Sequence, residues 1–138
     1  ILPTLPAAAD PKDVPLPNDI VIISPGETVP KNLAVFSGKW YGIWKGAETD
    51  TPMMEHILAV EKIDDGSARI AYGYAGIWEE LRSQRGWIRT KAVFIGDSLM
   101  IFFTNGATAE YRAGENSTIT GTYRIGGHKS FTTLTRMP

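Results

Sequence analysis

A series of tight-turn signals constrains this chain more than any other feature. Asp64-Asp65-Gly66, Gly96-Asp97, Asn105-Gly106, Gly114-Glu115-Asn116 and Gly126-Gly127 punctuate the sequence at near-regular intervals. Between them lie segments rich in Ile, Val, Thr, Tyr, Phe and Trp, residues that fit a pleated, half-buried surface. Asn-Gly flanked by apolar residues is a strong hairpin signal, because both residues accept the positive φ that tight hairpins require. The spacing predicts eight strands, at about 37–45, 54–63, 67–75, 87–95, 98–104, 107–113, 117–125 and 128–137. Only two connections are long, 46–53 and 76–86, and Trp78-Glu79-Glu80-Leu81-Arg82-Ser83-Gln84 within the second suits a helical turn. Eight sequential strands with no crossover helix predict an all-β fold. The expected form is an eight-stranded antiparallel up-and-down barrel, which closes on itself and leaves no exposed edge; a two-sheet sandwich is the alternative.

The first 35 residues differ in texture. They hold seven of the nine prolines, and proline is excluded from central strands and helix interiors. Residues 1–35 therefore read as an extended arm or linker packed on the barrel, and 36–138 as the barrel domain. Within the arm, Ile20-Val21-Ile22-Ile23 are expected to dock as an edge strand, followed by a turn at Ser24-Pro25-Gly26-Glu27. Ala7-x-Ala9 offers the small residues that signal peptidase prefers. The start of the chain fits the tail of an export signal, with a periplasmic or secreted location, and equally an interdomain linker.

Composition narrows the function. Fourteen basic and fifteen acidic side chains leave a net charge of −1, and no Lys/Arg run supplies the electrostatic footprint of a nucleic-acid binder. No stretch approaches the roughly 20 apolar residues of a membrane-spanning helix. The absence of cysteine removes thiol catalysis, disulfides and thiolate metal sites.

The first predicted strand reads Phe36-Ser37-Gly38-Lys39-Trp40-Tyr41-Gly42-Ile43-Trp44. Gly38-x-Trp40 in this position resembles the G-x-W signature of lipocalins and other calycins. The resemblance covers about residues 36–137, although the chain lacks the cysteines, the C-terminal helix and much of the length of true lipocalins. Gly121-Thr122-Tyr123 is also similar to a feature of avidin-like barrels. The likeness implies that Trp40 closes the barrel floor and that an Arg near the C-terminal end of the barrel stacks on it, which points to Arg136. Independently, Gly38, Trp40, Gly42, Trp44 and Gly46 share one face at period two. Small and very large residues alternating on one face suit the interior of a tapering barrel.

With strand one rising from the floor, 46–53, 76–86, 105–106 and 126–127 fall at the opposite rim. Trp44, His56, Tyr74, Trp78, Trp87, Arg89, Phe103 and His128 are expected at or near that mouth. They form a candidate ligand-binding set, an apolar lining with a few polar groups. The expected function is non-catalytic binding of a small apolar or aromatic ligand, without cofactor or metal. A cavity-free accessory module of a larger exported enzyme, contacting a protein or carbohydrate through the mouth loops or the arm, is the alternative. Other motifs have simpler readings. Gly96-Asp97-Ser98-Leu99 spells the opening motif of GDSL esterases, but it sits mid-chain without a following Asp-x-x-His and reads as a hairpin turn. His56 and His128 could make a metal site only if brought together, and alternation sends Glu55 to the face opposite His56. Trp78, Glu79 and Trp87 could form a sugar platform, but a solvated helical turn anchored by Trp78 is the better account of them.

Overall fold

The computed structural model describes residues 13–138, so the Ala7-x-Ala9 feature lies outside the described residues. The eight strands are β1 (Gly38–Gly46), β2 (Pro52–Asp64), β3 (Ser67–Gly76), β4 (Arg85–Ile95), β5 (Ser98–Phe102), β6 (Thr108–Ala113), β7 (Thr118–Ile125) and β8 (His128–Arg136). Each pairs antiparallel with its sequence neighbour, and β1 pairs with β8 to close the barrel. The turns take the expected chemistry: Gly66, Gly96, Gly106 and Gly126 all adopt positive φ, as do Asn116 and Ser117. The helical tendency of the second long loop is realised as one 3-10 turn, Glu79–Leu81.

Register sets the interior. Trp40 pairs with Leu58, Gly42 with His56 and Trp44 with Met54, so all six face inward. The floor half is filled by Trp40, Leu58, Val60, Ile70, Leu99, Ile101, Ile119 and Leu134, each almost wholly buried. A single helical turn, α1 (Lys31–Ala34), leads into the floor. Phe36 follows it, fully buried and 5.7 Å from the Phe94 ring. The Trp40 indole Nε1 donates to the Phe36 carbonyl (2.9 Å), and the Arg136 guanidinium lies 4.2 Å over the Trp40 ring. Arg136 also donates to the Ser37 carbonyl (2.7 Å). Gly38 is needed here twice: its φ is +115°, and a Cβ would stand 2.5 Å from Arg136 Nη1.

Residues 13–23 run down the outside of the barrel from its mouth end towards its floor. The Asp13 carbonyl accepts from Arg85, and Val14 and Leu16 cover Ile57 and Ala75 on the outer face of β2 and β3. The Pro15 carbonyl passes directly over Gly73, where any side chain would collide with it. The expected edge strand at Ile20–Ile23 does not form. β1–β8 pairing closes the seam between the first and last strands, and the segment, lying on the outer face, makes one backbone hydrogen bond instead, Ile23 N–H to the Glu61 carbonyl (2.7 Å). Glu61 is the extra residue of a β-bulge between Val60 and Lys62, so its backbone stands outside the regular ladder.

Candidate functional site

Above the packed floor the barrel opens. A cavity of about 930 Å³ is lined from inside by Trp44, Tyr72, Tyr74, Ile88, Phe103 and Tyr123, and at the rim by Met53, Leu81 and Gln84. Its shape follows from strand pairing. β4 and β5 pair only at Val93–Met100, Phe94–Leu99 and Ile95–Ser98, close to the floor. Towards the mouth they part, leaving residues 85–92 paired on the β3 side alone. The cavity therefore also opens sideways through a slot bordered by Arg89, Thr90 and Phe102.

The base of the cavity is aromatic and polar. The Trp44 indole Nε1 donates to the Tyr72 hydroxyl (2.8 Å). Phe103 packs edge-on against Tyr72 at 5.1 Å, and Tyr123 lies 5.6 Å from Trp44. His56 stacks on Trp44, with ring centroids 4.4 Å apart and planes 11° from parallel. Its cross-strand partner is Gly42, whose missing side chain lets Leu134 and Thr132 close in beside it. Tyr111 and Thr132 complete the layer, and Gly121 is small enough to admit both. The His56 ring nitrogens, the Tyr111 hydroxyl and Thr132 Oγ1 are buried and have no hydrogen-bond partner among the described residues.

Electrostatics follow from burial. Loss of solvation lowers the His56 pKa to about 3; the nearby Gly42 backbone, outside hydrogen-bond geometry, offsets part of this. Burial likewise pushes the Tyr111 hydroxyl well above its ordinary value. The inward face carries no Asp, Glu or Lys, and its one cation, Arg136, lies at the floor. At neutral pH the inward face above Arg136 is uncharged among the described residues, apolar except for one buried polar layer.

The structure brings Trp44, His56, Tyr74 and Phe103 together inside the barrel. Trp78 and His128 stand at the rim, where the Trp78 indole donates to the Pro52 carbonyl and His128 is exposed. Trp87 and Arg89 differ from expectation. They pair with Gly73 and Ala71, so both project from the outer face, while Gly86, Ile88 and Thr90 point in. Trp87 is 46% exposed. Arg89 borders the slot but is held by the buried Glu61 carboxylate (2.8 Å) and by Asp19 (3.0 Å), which keeps the Asp19 pKa below its ordinary value. The sequence carries the signal for this phase: Arg85, Arg89 and Lys91 share parity with Trp87, and a charged face belongs in solvent. Tyr72, Tyr111, Tyr123 and Ile88 were missed; Tyr72 is two residues from Tyr74, so alternation places it on the same face.

Ser98, of the esterase-like tetrapeptide, lies at the floor end beside the Gly96-Asp97 turn. Its hydroxyl donates to Glu110 Oε2 (2.8 Å), which with Arg112 and Arg124 holds the Glu110 carboxyl below its ordinary pKa. Glu55 is buried against the outer face, accepting from the Tyr41 hydroxyl (2.8 Å). Among the described residues no three His, Cys, Asp or Glu side chains are grouped to hold a metal ion, and no helix is long and apolar enough to cross a membrane. Comparison with protein-family models, curated proteins and solved structures gives no match.

Proposed function

We propose that this domain is a binding barrel for a small, largely apolar or aromatic molecule. The observation that carries the reading is the roughly 930 Å³ cavity, ringed by aromatic side chains and open at one end of a barrel whose other end is sealed. Its size is in the range of ordinary small-molecule sites, which combine apolar walls with a few placed polar groups. The packing of Arg136 on Trp40 supports a lipocalin-like assignment, since that likeness implies this contact. Fold analogy alone would be a weak warrant for function; the cavity is independent support.

The test is native mass spectrometry of the purified protein followed by denaturing extraction, together with titration of the neutral fluorescent probe N-phenyl-1-naphthylamine. A mass lost on denaturation, or micromolar probe binding abolished by Ile88→Trp, is the expected result. An unloaded protein that also ignores the probe would sink the reading. The outward, exposed Trp87, Phe102 and Phe131 near the mouth favour a second reading, a protein-interaction surface around the opening.

A further inference from the structure

The polar layer beneath the cavity restricts the chemistry of the ligand. Buried polar groups are almost always hydrogen-bonded, and each exception calls for an explanation. Here four such atoms, on His56, Tyr111 and Thr132, sit in one layer. Packing does not require them there, because Phe, Phe and Val would fill similar volumes without the cost of burying unused donors and acceptors. A break in the pairing ladder coincides with the layer. β1 and β8 pair at Trp40–Arg136 and Tyr41–Thr135 and again at Lys45–Phe131 and Gly46–Ser130, but not at the three positions between. Gly42 and Thr132 lie within that break.

Building on the binding reading above, we infer that the ligand is a neutral, largely apolar ring compound bearing one hydroxyl, phenol or amide group, and that His56, Tyr111 and Thr132 read that group. Trp44 stands two residues nearer the mouth than Gly42 and covers His56 from that side. Its indole is held by the stack on His56, by ring contacts with Tyr111 and Tyr123, and by one hydrogen bond, to the Tyr72 hydroxyl. A ligand hydroxyl or amide that takes over the Tyr72 hydroxyl frees the indole to swing aside and expose the layer. An imidazole accepts at one nitrogen and donates at the other, so it matches a group that both donates and accepts. Burial holds this imidazole neutral at physiological pH. An anionic head would lie in the same layer with no cation facing it. The cations beside the cavity are engaged elsewhere, Arg89 by Glu61 and Asp19 and Arg85 by the Asp13 carbonyl. Sites built to hydrogen-bond a buried group discriminate strongly against analogues that lack it.

Three probes with one ring system test this: 2-naphthol, 2-methylnaphthalene and 2-naphthoate, measured by equilibrium dialysis at pH 7 against the wild type, His56→Phe and Thr132→Val. Wild type should bind naphthol at least tenfold more tightly than naphthoate. His56→Phe should lower the ratio of naphthol to methylnaphthalene affinity about tenfold while leaving methylnaphthalene binding unchanged. Thr132→Val, nearly isosteric, should lower the same ratio severalfold and guards against a folding defect in the first variant. Binding of naphthoate as tight as naphthol, or a ratio unmoved in both variants, overturns the neutral-ligand inference while leaving the binding barrel standing. Failure of all three probes to bind the wild type overturns this inference, and together with an unloaded protein that ignores N-phenyl-1-naphthylamine it overturns the binding barrel as well.

Discussion

His56 is the residue whose state depends most on the fold. Unfolded, it takes a proton as pH falls through about 6.5; folded, it stays neutral until about 3. The unfolded chain thus binds the extra proton between these values, and stability present above pH 6.5 is lost as pH falls towards 3. The slope is at most about 1.4 kcal/mol per pH unit. Urea unfolding should therefore show about 2 kcal/mol lower stability at pH 5 than at pH 7, and His56→Phe should remove that loss. A wild type equally stable at both values would mean that the imidazole is solvated. At the floor, Arg136→Ala should cost about 1–3 kcal/mol, through the lost cation–π contact and the uncapped Ser37 carbonyl. Gly42→Ala should destabilise by a similar amount, about 1–3 kcal/mol, because a Cβ would come within 2.6 Å of Leu134 and 2.8 Å of the Thr133 carbonyl. Denaturant midpoints check both.

The arm is the element whose attachment rests on few contacts. Arg89 joins it to the barrel by bridging Asp19 on the arm and the buried Glu61 on β2. Removing the guanidinium leaves a buried carboxylate without its charge partner, a strongly unfavourable arrangement. Arg89→Met should lower the thermal midpoint, and adding Glu61→Leu should restore most of it. If the double variant is as unstable as the single, the loss does not come from the stranded Glu61 carboxylate. Gly73→Ala is a complementary probe. It should lift the arm at Pro15 while sparing the barrel, read as faster proteolysis before residue 24 with unchanged β-sheet circular dichroism. β4 is the other exposed element, because half of its backbone groups between Arg85 and Ala92 have no strand beside them.

That asymmetry governs the molecule as a whole. Its floor half is a packed cylinder in which every neighbouring pair of strands is joined; its mouth half is a sheet that has parted between β4 and β5. Hydrogen exchange should be slowest in β2, β3 and the floor half of β7 and β8. Within β4, amides facing β3 should be protected while alternate amides facing the slot exchange at rates closer to those of loops. Uniform protection along β4 would show the slot to be closed in solution. A ligand occupying the cavity should raise the global unfolding midpoint in proportion to the logarithm of its concentration.

How far this architecture can be read directly from the chain varies with the range of the interaction concerned. The turn residues determined the hairpins, and the hairpins determined strand number, order and direction, because turn geometry is local. Gly38-x-Trp40 and Arg136 were singled out by the calycin likeness rather than by turn geometry, and only closure of β1 on β8 brings them together. The phase of β4 was encoded in its Arg/Lys face, but Trp87 and Arg89 were assigned to the mouth lining by their nearness to that end alone, which does not say which face they take. What no local signal could decide was non-local. The β4–β5 slot depends on where two strands diverge. The arm lies across the outer face of β2 and β3 rather than beside a strand, a placement that depends on Gly73 and on the bulge at Glu61. The buried, unpartnered state of His56 arises from Gly42, Trp44, Tyr111 and Thr132, contributed by three other strands, and only the tertiary structure places these around it.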